Sequence, residues 1–212
     1  MKIHKVLNVR AVSKTAFILR FNREGKNFEP GLHISVGLPG DENRPYSIYN
    51  GVGKDYLEIL VKEIPNGLVT PKLKRLKPGN EIKVGKPRGY FCLPDNYNGE
   101  KLCLIATGTG IAPFHSFIES YPNLNYHLYH GVKDLSEAYD LNFYNSESIT
   151  LCTSRTEEGD VMGRVTKAMK NIKVDQFDYF YICGSYEMLD EVYELLEDKG
   201  VKRDKIKTEG YF

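Results

Sequence analysis

Near residue 96 the hydrophobic rhythm of the chain changes, and that change limits the folds open to it. Before it, short apolar stretches follow the two-residue period of half-buried strands: Val6 to Val12, Phe17 to Phe21, His33 to Val36, Tyr46 to Tyr49, Leu57 to Ile64 and Glu81 to Val84. In the second stretch Phe17, Leu19 and Phe21 share one face. Gly, Pro, Asn and Asp separate the stretches, as in Pro39-Gly-Asp41 and Pro78-Gly-Asn80, so the first half predicts a small antiparallel β-barrel. After it, near-continuous apolar runs at Leu102 to Ala106, Tyr126 to Tyr129, Ile149 to Cys152 and Tyr179 to Cys183 alternate with helix-like segments. Those segments are Pro113 to Ser120, Leu135 to Tyr144, Val165 to Met169 and Glu187 to Lys199, and a last strand, Lys205 to Thr208, leads into the end of the chain. A βαβαβαβαβ order predicts an α/β doubly wound parallel sheet, whose ligands gather beyond the C-terminal ends of its strands. Pro94-Asp-Asn-Tyr-Asn-Gly99 is the natural boundary, which places a barrel over residues 1–96 and an α/β domain over residues 97–212.

Composition narrows the function more than the fold. Lys and Arg total 29 against 28 for Asp and Glu, a net charge of +1, so nothing global points to nucleic acid and any partner recognition must be local. No apolar run approaches the roughly 18 residues of a membrane span, and Met1-Lys-Ile-His-Lys5 lacks the apolar core of a secretion signal; the cytoplasm is the expected location. Cys92, Cys103, Cys152 and Cys183 are scattered without a C-x-x-C pair, and the last three sit in strand-like apolar runs, so they read as small core residues and not as metal ligands. His4, His33, His115, His127 and His130 show no metal spacing either. Redox chemistry, if present, must come from a bound organic cofactor.

Two segments have the physical character of anion sites. Leu104-Ile-Ala-Thr-Gly-Thr-Gly-Ile-Ala-Pro-Phe-His-Ser-Phe-Ile118 reads as strand, glycine-rich turn and helix. Gly108 and Gly110 let the backbone turn tightly, Pro113 suits the first helical turn, and the free N–H groups there face an anion such as a pyrophosphate. A plain tight turn is the alternative. In the first half, Thr70 is a good N-cap and Pro71 a good first helical residue, with Leu73 and Leu76 forming a short apolar stripe; the alternative is a capped helix that closes the barrel. Two anion sites in two domains are the pattern of a flavin facing a nicotinamide nucleotide.

Arg44-Pro-Tyr-Ser47, just before a predicted strand, resembles the R-x-Y-S/T flavin motif of the ferredoxin–NADP⁺ reductase family. The resemblance implies that Arg44 pairs with the FAD pyrophosphate, Tyr46 packs on the isoalloxazine and the Ser47 hydroxyl lies near flavin N5, roles that suit a guanidinium, a flat amphipathic ring and a small donor. Gly67, Leu68, Val69 and Thr70 are similar to the family's second FAD-pyrophosphate element, and Pro87-Arg-Gly-Tyr-Phe91 looks like its loop after the sixth strand. Thr107, Gly108, Gly110 and Pro113 match the nicotinamide-nucleotide turn, Thr153-Ser154-Arg155 with Arg164 the adenosine 2′-phosphate site, and Cys183-Gly-Ser-Tyr-Glu-Met188 the strand end that meets nicotinamide through Cys183 and Gly184. Glu209-Gly-Tyr-Phe212 matches the acidic and aromatic C-terminus. The matches run in order from about residue 44 to the end, closest to the compact bacterial members.

The resemblance implies FAD and NADP(H) as cofactors, with ferredoxin or flavodoxin as one-electron partner and Ser47, Cys183 and Glu209 around the hydride path. Two guanidiniums on one phosphate select NADP(H) over NAD(H), with a solvated surface pair as the alternative. Cys183 has an inert buried thiol as its alternative, and Glu209, a candidate proton relay, a surface carboxylate. Met188 reads as core, on one apolar face with Leu189, Val192, Leu195 and Leu196. Tyr211 or Phe212 is expected to cover the flavin until nicotinamide displaces it. Lys72, Lys74, Arg75 and Lys77 form a basic run suited to steering an acidic redox protein, unless they are simply a solvated face. Rival functions are an NAD(P)H–flavin reductase, the reductase component of an oxygenase, and a non-catalytic flavin-binding regulator.

Overall fold

The structure, a computed structural model, describes residues 1–211. The chain divides into two compact units: one holds Met1–Leu93 with Ala112–Pro122, the other Pro94–Ile111 and the chain from Asn123 onward.

The first unit contains β1 (Lys2–Ala11), β2 (Ala16–Asn22), β3 (His33–Gly37), β4 (Asn43–Ser47), β5 (Tyr56–Lys62) and β6 (Glu81–Val84) in the spatial order β4-β3-β6-β1-β2-β5, with every pairing antiparallel. An Ile48–Ile59 bridge and a 2.8 Å bond from the Tyr49 N–H to the Glu58 carbonyl join the two ends of the sheet just past β4, so it closes there into the expected barrel. Phe17, Leu19, Phe21, Ile34, Val36, Leu57, Ile59, Ile82 and Val84 fill its interior. The short helix α1 (Thr70–Lys74) adds Leu73, fully buried, to that same core, so it closes the barrel as well as following Gly67.

Two local expectations in this unit are corrected. Arg44-Pro-Tyr-Ser47 lies inside β4 and not ahead of a strand; β4 begins at Asn43 and stands at one end of the sheet order, where the missing N–H of Pro45 costs no interior ladder bond. Thr70 is not the N-cap. Val69 holds that position with a helical backbone, and the Thr70 hydroxyl turns back to accept the Ile64 N–H at 2.9 Å, fastening the turn that precedes the helix.

The second unit is built on β7 (Leu102–Thr107), β8 (Tyr126–Val132), β9 (Ile149–Thr153), β10 (Val161–Met162), β11 (Tyr179–Ser185) and β12 (Ile206–Tyr211), ordered β10-β9-β8-β7-β11-β12 and parallel throughout. Helices α3 (Val165–Lys170) and α4 (Tyr186–Asp198) bury Val165, Met169, Met188, Leu189, Val192 and Leu196 against Cys103, Ile105, Cys152, Phe180 and Ile182. Met188 is thus a core residue. The two-residue strand β10 was not expected. The predicted helix Leu135 to Tyr144 is instead two 3₁₀ turns, Leu135–Glu137 and Leu141–Phe143. Asp134 caps the first by accepting the Ser136 N–H, and Asp140 enters the left-handed region (φ +48°), so polar side chains and backbone break a continuous helix. β11 continues past Cys183 to Ser185, and β12 runs to Tyr211, beyond the predicted Thr208.

Helix α2 (Ala112–Ser120) follows β7 in the chain but packs with the barrel unit. His115 stacks on Tyr49 (centroids 3.8 Å apart) and donates from Nδ1 to the Tyr49 carbonyl at 2.9 Å, and the Ser116 hydroxyl donates to the Asn50 carbonyl at 2.8 Å. Glu119 accepts the Gly51 N–H and pairs with Lys54 at 3.0 Å. A periodicity-based boundary assigns the helix to the second half because it follows a parallel strand; side-chain polarity on one helical face decides otherwise.

Candidate functional site

Of the residues assigned to the nicotinamide nucleotide, Thr107, Gly108, Gly110, Cys183 and Gly184 gather at the C-terminal ends of β7 and β11. In the sheet order β7 has β8 on one side and β11 on the other, so the two windings diverge here and leave the crevice in which doubly wound sheets bind ligands. After Thr107, Gly108 adopts φ +50° and opens a 3₁₀ turn, Gly108–Ile111, that runs into α2. A Cβ on Gly110 would lie 2.2 Å from the Cys183 carbonyl oxygen, so only glycine lets the turn pass this close to β11. The Thr107 hydroxyl accepts the Ser185 N–H at 3.3 Å, and a Cβ on Gly184 would meet that hydroxyl at 2.1 Å. Pro113 is buried in the first turn of α2.

Beside the turn, Cys183 is fully buried and pairs in register with Glu209; Gly184 pairs with Gly210 and Ser185 with Tyr211. Burial holds the Cys183 thiol well above its ordinary pKa, the Glu209 carboxylate pushes it further up and the Tyr211 hydroxyl pulls weakly down, so the sulfur is a neutral thiol at neutral pH. Tyr211 is therefore part of a strand ladder with its hydroxyl near Cys183. Phe212 lies outside the described residues.

His130 was not among the candidates read from the sequence, yet it touches the Gly108 turn. Fully buried two residues before the end of β8, it places Nε2 2.9 Å from the Gly108 carbonyl; a carbonyl only accepts, so Nε2 carries the proton and donates to the Gly108–Ile111 turn. Burial lowers its pKa to about 4, against smaller raising effects from the Gly108 carbonyl and Glu137. In the sequence it was one histidine among five without metal spacing, and only the parallel register of β7 and β8 brings it under Gly108.

Ser154 and Arg155 follow β9 and are exposed, and Arg164 is the N-cap residue of α3, just beyond β10. Met162 pairs with Thr153, so both guanidiniums spring from the C-terminal ends of adjacent strands. Arg164 pairs with Glu187 at 2.8 Å, and Glu191 lies at 4.0 Å.

In the barrel unit, Arg44 is exposed and pairs with Glu42 at 2.5 Å. Tyr46 packs against the barrel core; its hydroxyl is buried with no partner among the described residues, and burial raises its pKa to about 12. A buried donor left unmatched is costly, so this atom suits a polar ligand that accepts from it. Ser47 is buried opposite His33 in β3. Gly67, Leu68 and Val69 lead into α1, with Leu68 exposed and Val69 buried. Lys72 ties this helix to Asp41, just ahead of β4, at 2.7 Å. Lys74 pairs with Glu63 at 2.5 Å, so two of the four cations in the basic run are already neutralised, while Arg75 and Lys77 are exposed. No group of three His, Cys, Asp or Glu side chains among the described residues could hold a metal ion, and no helix there is long and apolar enough to cross a membrane.

Residues 4–92 match the oxidoreductase FAD-binding domain and residues 104–194 the oxidoreductase NAD-binding domain. A ferredoxin–NADP reductase of Azotobacter vinelandii is 31% identical, covering 95% of this chain and 91% of that protein; one of Pseudomonas aeruginosa is 30% identical, covering 93% and 90%. The toluate 1,2-dioxygenase electron transfer component of Pseudomonas putida is 28% identical over 93% of this chain but only 63% of its own length. In fold, the ferredoxin NADP⁺ reductase of Neisseria gonorrhoeae, solved with bound FAD and NADP, superposes with a TM-score of 0.87 at 24% identity, covering 100% of this chain and 98% of that one. A closed antiparallel barrel with a FAD-binding signature and a parallel sheet with a nucleotide-binding one define a flavin- and nicotinamide-dependent oxidoreductase. Within that class, the chain belongs to the ferredoxin–NADP reductase family.

Proposed function

We propose that this enzyme moves a hydride between NADP(H) and bound FAD and exchanges single electrons with ferredoxin or flavodoxin. The observation that carries the reading is the interlock of the Gly108–Ile111 turn with the Cys183–Gly184 end of β11, which sets backbone N–H groups and a neutral thiol at the C-terminal edge of the sheet. When bound, FAD supplies the chemistry of taking two electrons together and releasing them singly.

The chain's own groups bind and orient. Arg44 neutralises pyrophosphate charge once it leaves Glu42, Tyr46 offers its unmatched hydroxyl, and Ser47 presents a small donor beside it. Gly67 to Thr70 hold the second phosphate contact, supported by the backbone of the turn; the Thr70 hydroxyl is already engaged by Ile64. Thr107, Gly108, Gly110 and Pro113 seat the nicotinamide nucleotide, and Ser154, Arg155 and Arg164 take its 2′-phosphate. Cys183 stays protonated and gives nicotinamide a soft, uncharged contact, while Glu209, next to it in register, holds or moves the proton. Tyr211 or Phe212 is the gate over the flavin. Arg75 and Lys77, both exposed, steer an acidic partner, while Lys72 and Lys74 are held in ion pairs. The buried thiols Cys103, Cys152 and Cys183 suit a reducing compartment, which supports the cytoplasm.

Anaerobic NADPH is expected to bleach the flavin spectrum of the purified protein faster than NADH, and Arg155→Glu to raise the KM for NADPH far more than that for NADH. A protein without flavin, or a flavin that neither nucleotide reduces, refutes the enzymatic reading. The match to an oxygenase electron transfer component supports a second reading, in which the acceptor is an oxygenase partner. Turnover with purified ferredoxin or flavodoxin, against that with free flavin, separates them.

A further inference from the structure

We propose that Thr153 is a positioning residue that sets the discrimination between NADP(H) and NAD(H), by joining the two halves of the 2′-phosphate clamp; the inference rests on the clamp reading above. Neighbouring parallel strands ordinarily need a crossover of about a dozen residues or more. Here β9 reaches β10 through residues 154–160 alone, so this loop must reverse the chain twice in a short span, and it carries Ser154 and Arg155. Its conformation is held from below. The Thr153 side chain, fully buried, donates from its hydroxyl to the Thr156 carbonyl at 2.8 Å and accepts the Gly159 N–H at 3.2 Å. Asp160 closes the far end by accepting the Leu151 N–H at 2.7 Å. Gly159 packs so tightly that a Cβ would lie 2.7 Å from the Leu151 carbonyl oxygen and 2.9 Å from the Thr153 methyl.

The backbone of the same residue holds the other half. The Thr153 carbonyl accepts the Gly163 N–H at 2.8 Å, and Gly163 immediately precedes Arg164. One threonine therefore fixes the Arg155 loop through its hydroxyl and the Arg164 turn through its carbonyl. Both guanidiniums are exposed; the Arg155 N–H also donates to the Lys133 carbonyl at 2.9 Å and Arg164 pairs with the exposed Glu187, and the Thr153 clasp is what ties these two segments to each other. The loop also carries Glu157 and Glu158, both exposed, and its path decides how far two carboxylates stand from the phosphate. Losing the hydroxyl leaves the Gly159 N–H and the Thr156 carbonyl unmatched and frees the loop to move, at the expense of the ligand that needs both arginines.

The test compares binding of 2′,5′-ADP and 5′-AMP, which differ by the 2′-phosphate alone, by calorimetry on the FAD-loaded protein, alongside the NADPH-to-NADH ratio of kcat/KM. Thr153→Val, which keeps shape and removes the hydroxyl, is expected to lower both preferences by about tenfold or more, and Thr153→Ser to return them to within about threefold. Gly159→Ala, which displaces the loop with Thr153 intact, is expected to act like Thr153→Val and gives the answer if the valine variant does not fold. If these variants keep the preference while Arg155→Gln loses it, the clasp is refuted and the clamp stands. If Arg155→Gln also keeps it, the clamp reading fails and the inference with it.

Discussion

Acidification is expected to destabilise the α/β unit through His130. Its folded pKa of about 4 lies below the unfolded value of 6.5, so the unfolded chain binds the proton first. The stability that neutral His130 contributes is complete above pH 6.5 and is lost as pH falls from there toward 4. One pKa unit corresponds to about 1.4 kcal/mol, so moving from about pH 7.5 to about pH 4.5 removes roughly 2–3 kcal/mol, much of the 5–15 kcal/mol typical of a domain. His4, buried in the barrel with its pKa also lowered chiefly by burial, adds in the same direction in the other unit. Urea denaturation of wild type and His130→Gln across this range isolates the contribution, because glutamine can still donate to the Gly108 carbonyl and does not titrate. The difference in unfolding free energy between the two proteins is expected to change by roughly 2–3 kcal/mol, in favour of the variant at acid pH. Parallel pH profiles would refute the reasoning and mean that the ring is hydrated or free to leave the carbonyl.

Three further outcomes follow from the geometry. Gly110→Ala places a Cβ 2.2 Å from the Cys183 carbonyl and must displace the turn, so the KM for NADPH is expected to rise about tenfold or more; an unchanged KM would show that the turn has room to yield. Glu42→Gln frees Arg44 from a pair in which both side chains are about half exposed, so FAD retention should improve by no more than about fivefold, matching the 0–1 kcal/mol typical of such pairs, whereas Arg44→Ala should weaken it; both are read by flavin release during dialysis. Leu196→Ala removes a fully buried side chain beneath α4 and is expected to cost about 2–5 kcal/mol in chemical denaturation.

The division into barrel and doubly wound sheet, the strand-turn-helix at Leu104 to Ile118 and the core face of α4 were legible because hydrophobic periodicity is a local property that tertiary packing here reinforced. Leu135 to Tyr144 has helical spacing but is not one helix, because Asp134 and Asp140 supply local alternatives to helical hydrogen bonds. Thr70 has the chemistry of an N-cap, but its hydroxyl is used by Ile64, a partner no spacing rule names.

Which residue types are suited to an anion, a flavin or a nicotinamide can be read from the sequence alone, since glycine, arginine and tyrosine carry their chemistry wherever they sit. Who holds them was decided only in three dimensions. His130 meets Gly108, Cys183 meets Glu209, Glu42 occupies Arg44 and Thr153 joins the Arg155 loop to the Arg164 turn through strand register and side-chain hydrogen bonds. Such bonds depend on matching donors to acceptors at about 3 Å, and a linear pattern of hydrophobicity contains no information at that scale.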